Sequence, residues 1–187
     1  MIKINKNQEK NVSLKIRSLV VDPQEIGGTD DEIARLLQRI LDDDTSLFDD
    51  LADLVADEAR DEIELCTEAV LRMDDAGCVE IEYYENPDDE QMRTLSKIIF
   101  YQHAPEIVSM IKEGAMQAYL SFEAGKTHVC TYDTPFMTFK IYVDSKAVDN
   151  RLLDTGHLHL NYVLNFGDNP PQHFILDIDM KEEPSAC

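Results

Sequence analysis

The sequence predicts a mainly β protein: about ten antiparallel strands in one domain, with two helices inserted between the first and second strands. Three observations carry this. After Arg60, apolar and polar residues alternate almost to the C-terminus, which is the period of half-buried strands. The breaks in that alternation hold turn chemistry, as at Asn86-Pro87-Asp88-Asp89, Glu123-Ala124-Gly125-Lys126 and Gly167-Asp168-Asn169-Pro170-Pro171. One stretch alone, within residues 23–60, switches to a period of 3.6. A chain of 187 residues, 43% of them hydrophobic, can bury roughly 70% of its unfolded surface, so one core suffices.

Taken in order, residues 1–10 read as a tail. Val12, Leu14 and Ile16 alternate with Ser13, Lys15 and Arg17, placing a first strand at 12–22. Pro23 and Gly27-Gly28 end it. Thr29-Asp30-Asp31-Glu32 reads as a capping box, followed by an apolar stripe at Ile33, Leu36, Leu37, Ile40 and Leu41. Asp42-Asp43-Asp44 interrupts that helix. Thr45 or Ser46 can cap a second, with its stripe at Leu47, Phe48, Leu51, Leu54 and Val55.

Strands then fill residues 61–180. Ile63, Leu65, Thr67, Ala69, Leu71 and Met73 share one face of a long strand, and Val79, Ile81 and Tyr83 share a face of the next. Further strands are expected at Met92–Tyr101, Ile107–Lys112, Met116–Phe122, Thr127–Tyr132, Thr138–Asp144, His157–Phe166 and Phe174–Met180, with a tail at 181–187. Closing such a meander into a barrel removes the edges that invite aggregation, and a β-sandwich is the competing arrangement.

Seventeen Lys+Arg stand against 38 Asp+Glu, a net charge of −21. Nucleic-acid affinity draws on Lys and Arg releasing counterions, so neither nucleic acid nor an anionic membrane is an expected partner. Cys66, Cys78, Cys130 and Cys187 form no CxxC pair and are expected as reduced thiols. No apolar run approaches a membrane span and no secretory signal opens the chain, so a cytoplasmic location is expected.

At Tyr132-Asp133-Thr134-Pro135, then Phe139-x-Ile141-x-Val143-x-Ser145 and Leu158-x-Leu160-x-Tyr162-x-Leu164, the chain resembles the YwiB-like family of uncharacterised bacterial proteins. The likeness extends through Val79-x-Ile81-x-Tyr83-Tyr84-Glu85, Lys112-Glu113-Gly114 and Phe122, and covers residues 12–22 and 61–180. The resemblance implies a calycin-type, lipocalin-like barrel and carries over no catalytic residue. Two features depart from it. Met137 stands where the family usually has Gly, and residues 23–60 are an insertion, at the place where fatty-acid-binding barrels carry a two-helix lid.

Candidate sites are few. His157 and His159 share a strand face, but the sequence places no third ligand beside them, so no metal or cofactor is expected. Glu80 with Glu82, and Asp177 with Asp179, could form acid–base pairs, yet both oppose apolar faces and read as solvated. The Asp42–Asp44 run lacks the Gly and distant Glu of a calcium loop. No GxSxG, P-loop, GxGxxG or HExxH motif occurs, so no reaction is read and no residue is named catalytic. Lys112 is the most informative residue, because it shares a face with Val108 and Met110. An inward cation needs a partner: an anionic ligand head group, a structural carboxylate, or the water at the rim. Tyr83, Tyr132, Tyr162 and Thr67 are the polar side chains expected near it.

Two functions compete. In one, a hollow barrel binds a small apolar or amphipathic ligand anchored at Lys112. In the other, a filled barrel presents an acidic helical hairpin to a basic protein partner. Residues 23–64 hold fifteen acidic residues against Arg35, Arg39 and Arg60, a net charge of −12. Cavity volume separates them.

Overall fold

The fold is a closed barrel of ten antiparallel strands, each bonded to its neighbours in sequence, with the last strand returning to the first. The structure, a computed structural model, describes residues 2–21, 35, 38–39, 60–86, 93–114, 117–167 and 170–182. The strands are β1 (Gln8–Val21), β2 (Arg60–Met73), β3 (Cys78–Glu85), β4 (Thr94–Tyr101), β5 (Ala104–Glu113), β6 (Gln117–Glu123), β7 (Thr127–Asp133), β8 (Thr138–Arg151), β9 (His157–Asn165) and β10 (Gln172–Lys181). Closure comes from β1, which pairs with β2 on one side and with β10 on the other. Every described element is thus a strand. The expected two-helix insertion falls outside the described residues except at Arg35, Gln38 and Arg39, which are helical but too few to define an element.

Alternation sets the inward face. Val12, Leu14 and Ile16 of β1, Leu71 and Met73 of β2, Val79 and Ile81 of β3, Ile98 and Phe100 of β4 and Val108 and Met110 of β5 are all buried in one cluster. Phe122, Val143, Leu158, Leu160 and Ile178 continue it around the barrel. The amino-terminal tail belongs to this core as well. Ile2 is buried and its amide donates to the Leu153 carbonyl at 2.9 Å, while β1 already begins at Gln8. Backbone pairing of β1 with β2 thus starts within the expected tail of 1–10 and runs through polar Glu9 and Asn11, whose side chains carry no apolar signal.

β8 is twice as long as the strand its hydrophobic pattern predicts. The alternation ends at Val143, but the strand runs to Arg151, with a register shift between Ser145 and Ala147. Ile141, Val143 and Ser145 are buried before the bulge and Val148 packs on the core after it, so the inward phase changes from odd to even positions. At the other departure from the family pattern, Met137 has no positive φ. Instead Thr134 makes the turn: its hydroxyl donates to the Met137 carbonyl at 2.9 Å and accepts from the Met137 amide at 3.1 Å.

The barrel is buried on part of its outside too. Leu19, Val21, Val163 and Ile175 point outward from β1, β9 and β10, yet each is buried. His159 and Asp177 lie on that same outer face. Asp177 is 7% exposed, which corrects the expectation that the Asp177–Asp179 pair is solvated: cross-strand pairing brings the His159 Nδ1 within 2.6 Å of its carboxylate. A second pair, His157 with Asp179 at 2.9 Å, lies beside it, and Arg17 reaches Asp177 at 3.8 Å. The sequence did not place these carboxylates next to the histidines because strand register was unknown. Among the described residues no cluster of three or more His, Cys, Asp or Glu side chains is arranged to hold a metal.

Cys78 and Cys130 are free, while Cys66 is disulfide-bonded to a partner outside the described residues, which corrects the expectation of reduced thiols throughout. Spacing alone does not reveal which cysteines a fold brings together. No described helix is long and apolar enough to cross a membrane.

Candidate functional site

A cavity of about 440 Å³ occupies one end of the barrel. Its described lining comes from the last residues of β3, β5, β7 and β9 and the first of β4, β6, β8 and β10: the end at which β1 also leaves and β2 enters. The other end is filled by the large apolar cluster of Leu71, Val79, Ile98, Phe100 and Leu158. Among the described residues, the barrel is therefore filled at one end and leaves a cavity at the other.

Inward-pointing polar residues gather on β3, β4 and β5. The cross-strand register sets Tyr83 opposite Ser96 and Ser96 opposite Lys112, with Glu85 opposite Thr94. All therefore share the interior face. The Lys112 Nζ lies 2.8 Å from a Glu85 carboxylate oxygen, and the Ser96 hydroxyl donates to the same oxygen at 2.9 Å. The Tyr83 hydroxyl is hydrogen-bonded in turn to Ser96. Burial pushes the Tyr83 phenol well above its ordinary range, with the Glu85 charge adding to the effect. Tyr83 therefore stays neutral, as does Tyr162, whose phenol is raised by burial alone. The side chains of Lys112 and Glu85 are 38% and 26% exposed, which puts their ion pair at the rim rather than in the dry core.

Across the barrel the wall is aromatic. The Tyr162 ring stacks on Phe174 with centroids 5.2 Å apart and planes 7° from parallel, and meets Phe122 edge-on at 4.8 Å. Tyr132 meets Phe166 edge-on at 6.4 Å. Leu120, Ile141, Leu164 and the small Ala118 complete the apolar surface.

Of the five residues singled out from sequence, Lys112, Tyr132 and Tyr162 line the cavity. Tyr83 is buried one layer below its floor and reaches it through Ser96 and Glu85. Thr67 is not brought to the cavity: its hydroxyl donates to the Tyr84 carbonyl at 3.3 Å, where β2 extends past the short β2–β3 pairing of Ala69–Met73. Glu85 and Ser96 were missed. Each is on the inward parity of its strand, since Glu85 follows Tyr83 by two, but only the register shows that they meet Lys112. Among the alternatives for that cation, the structural carboxylate is the one present.

Glu80 and Glu82 face outward and pair with Arg72, at 3.4 and 3.6 Å, and Glu82 also with Lys97 at 3.5 Å. They form a surface ion-pair network. The Cys130 thiol is raised by burial, so it is held as the thiol and not as the nucleophilic thiolate.

A family model described as a domain of unknown function (DUF1934) matches residues 53–178. Among solved structures, the crystal structure of ywiB protein from Bacillus subtilis is similar, with a TM-score of 0.56 at 13% identity, over 91% of this chain and 92% of that one. At such identity the likeness bears on the fold alone. No curated protein matches the chain.

Proposed function

The chain belongs to the DUF1934 family, whose description assigns no activity, and from the cavity itself we propose that it binds a small apolar or amphipathic molecule inside the barrel. One observation carries this reading: a void of about 440 Å³, within the roughly 300–1,000 Å³ of small-ligand sites, walled by apolar and aromatic side chains with polar groups on one side only. A barrel serving purely as a scaffold has no need of such a void, because unfilled apolar space forfeits packing contacts. Burial of the ligand's apolar surface supplies the affinity and the polar wall supplies orientation. The lipocalin-like character of the barrel and two helices within residues 23–60 belong to the same proposal.

The test is saturable binding of the neutral fluorophore Nile red, read as a blue-shifted emission. Ala118→Phe, at the rim between Lys112 and Tyr132 in the register, fills the mouth and should abolish binding while the circular dichroism spectrum stays β-rich. Wild-type protein that shows no saturable emission, or equal emission from the filled variant, rules the reading out.

A further inference from the structure

Glu85 and Lys112 are the only charged side chains among the described lining residues, and they are already paired at 2.8 Å. The described lining is thus bipolar but carries no net charge. That balance decides what it can accept. A ligand carboxylate set against the Lys112 ammonium would also lie beside Glu85, leaving two anions to share one cation in a partly desolvated space. It would arrive, moreover, against the field of a chain of net charge −21. A ligand ammonium set against Glu85 meets the mirror problem with Lys112. An uncharged group holding both an N–H and a carbonyl escapes both: the N–H donates to the carboxylate and the carbonyl accepts from the ammonium. Across the ring from β4, the near-parallel Tyr162 and Phe174 rings and the edge-on Tyr132 and Phe166 rings present π surfaces.

We infer that the cavity selects an uncharged aromatic molecule bearing an amide-type head, and that it rejects the carboxylate of the same skeleton. The inference rests on the cavity being a ligand site. It excludes a fatty-acid anion as the preferred occupant, because the cation that would anchor one is neutralised by Glu85.

Displacement of Nile red from the full-length chain by 2-naphthamide, 2-naphthoate and 2-naphthylmethylammonium reads head-group charge on one constant ring. In wild type the amide should displace at about tenfold lower concentration than either ion, the scale expected for one uncompensated charge near a surface. Glu85→Gln frees the Lys112 ammonium and should improve naphthoate about tenfold. Lys112→Gln frees the carboxylate and should improve the ammonium probe instead, so either variant alone suffices if the other fails to fold. Naphthoate equal to or better than the amide in wild type overturns the selectivity while leaving the cavity reading intact, and so does a folded variant whose preference does not move. Absence of Nile red binding to wild type overturns both.

Discussion

His173 shows how one buried side chain can carry a pH dependence. It lies in β10 opposite Val163 and Val21, and its Nδ1 is buried with no hydrogen-bond partner among the described residues. Burial pushes its pKa below the ordinary 6.5; the Lys146 ammonium adds to the depression and Asp144 opposes it. Above the unfolded value the ring is neutral in both states and contributes nothing to the slope. As pH falls through 6.5 the unfolded chain takes up a proton that the folded ring resists, so the folded state loses stability with acidification. Melting temperature should therefore decline between about pH 7.5 and 5.5, and His173→Leu should flatten part of that decline. An identical decline in the two proteins would exclude His173 as a source. Lys112 shows the opposite situation, a charge whose partner is present: Glu85 meets it at 2.8 Å, so its interior position is satisfied before any ligand arrives.

At the scale of elements, turns and bulges hold the strands in register. The turn from β8 to β9 ends at Gly156, whose φ is +84° and whose carbonyl accepts from the Met180 amide at 2.6 Å. A Cβ there would collide with the Met180 carbonyl oxygen, a backbone atom of β10 that cannot step aside. Gly125, between β6 and β7, also has a left-handed φ of +74°, but a Cβ there meets nothing within 4 Å. The pair separates strain from collision. Gly125→Ala should cost about 1 kcal/mol and Gly156→Ala about 3 kcal/mol by urea unfolding, since only the second adds a clash to the left-handed penalty. Equal costs would mean that backbone strain is the whole effect. Thr134 provides the contrasting solution, a turn built by a side-chain hydroxyl that spares Met137 any positive φ.

For the whole molecule the dominant global quantity is the charge of −21. Closure leaves β1 and β10 paired, so the barrel bears this repulsion without an open edge at that seam. Like charges on a compact body repel more strongly than on an expanded chain, so screening should favour the folded state. Raising NaCl from about 0.01 M to about 1 M shrinks the Debye length from ~30 Å to ~3 Å and should raise the melting temperature by several degrees. Chloride is the right salt, because sulfate also strengthens apolar burial. A melting temperature that falls with added NaCl would show that the surface ion pairs, such as Arg72 with Glu9 and Glu80, outweigh the global repulsion.

The sequence by itself determined the strand number, the antiparallel order and most of the inward face, because a period of two needs nothing beyond local pattern: Val79, Ile81 and Tyr83, or Leu158, Leu160 and Tyr162, are buried as their alternation requires. It also placed Lys112 inside by the same rule. What it did not contain was register. The meeting of Lys112 with Glu85 and Ser96, and of His159 with Asp177, depends on which residues lie opposite one another. A one-residue slip would send every such side chain to the other face, and no local pattern reports it. The bulge at Ser145 hid half of β8 for a related reason, since it reverses the inward phase in mid-strand. Only the tertiary structure decided that, among the described residues, one end of the barrel is filled and the other holds a cavity, because a void is the volume left when all ten strands have placed their side chains together.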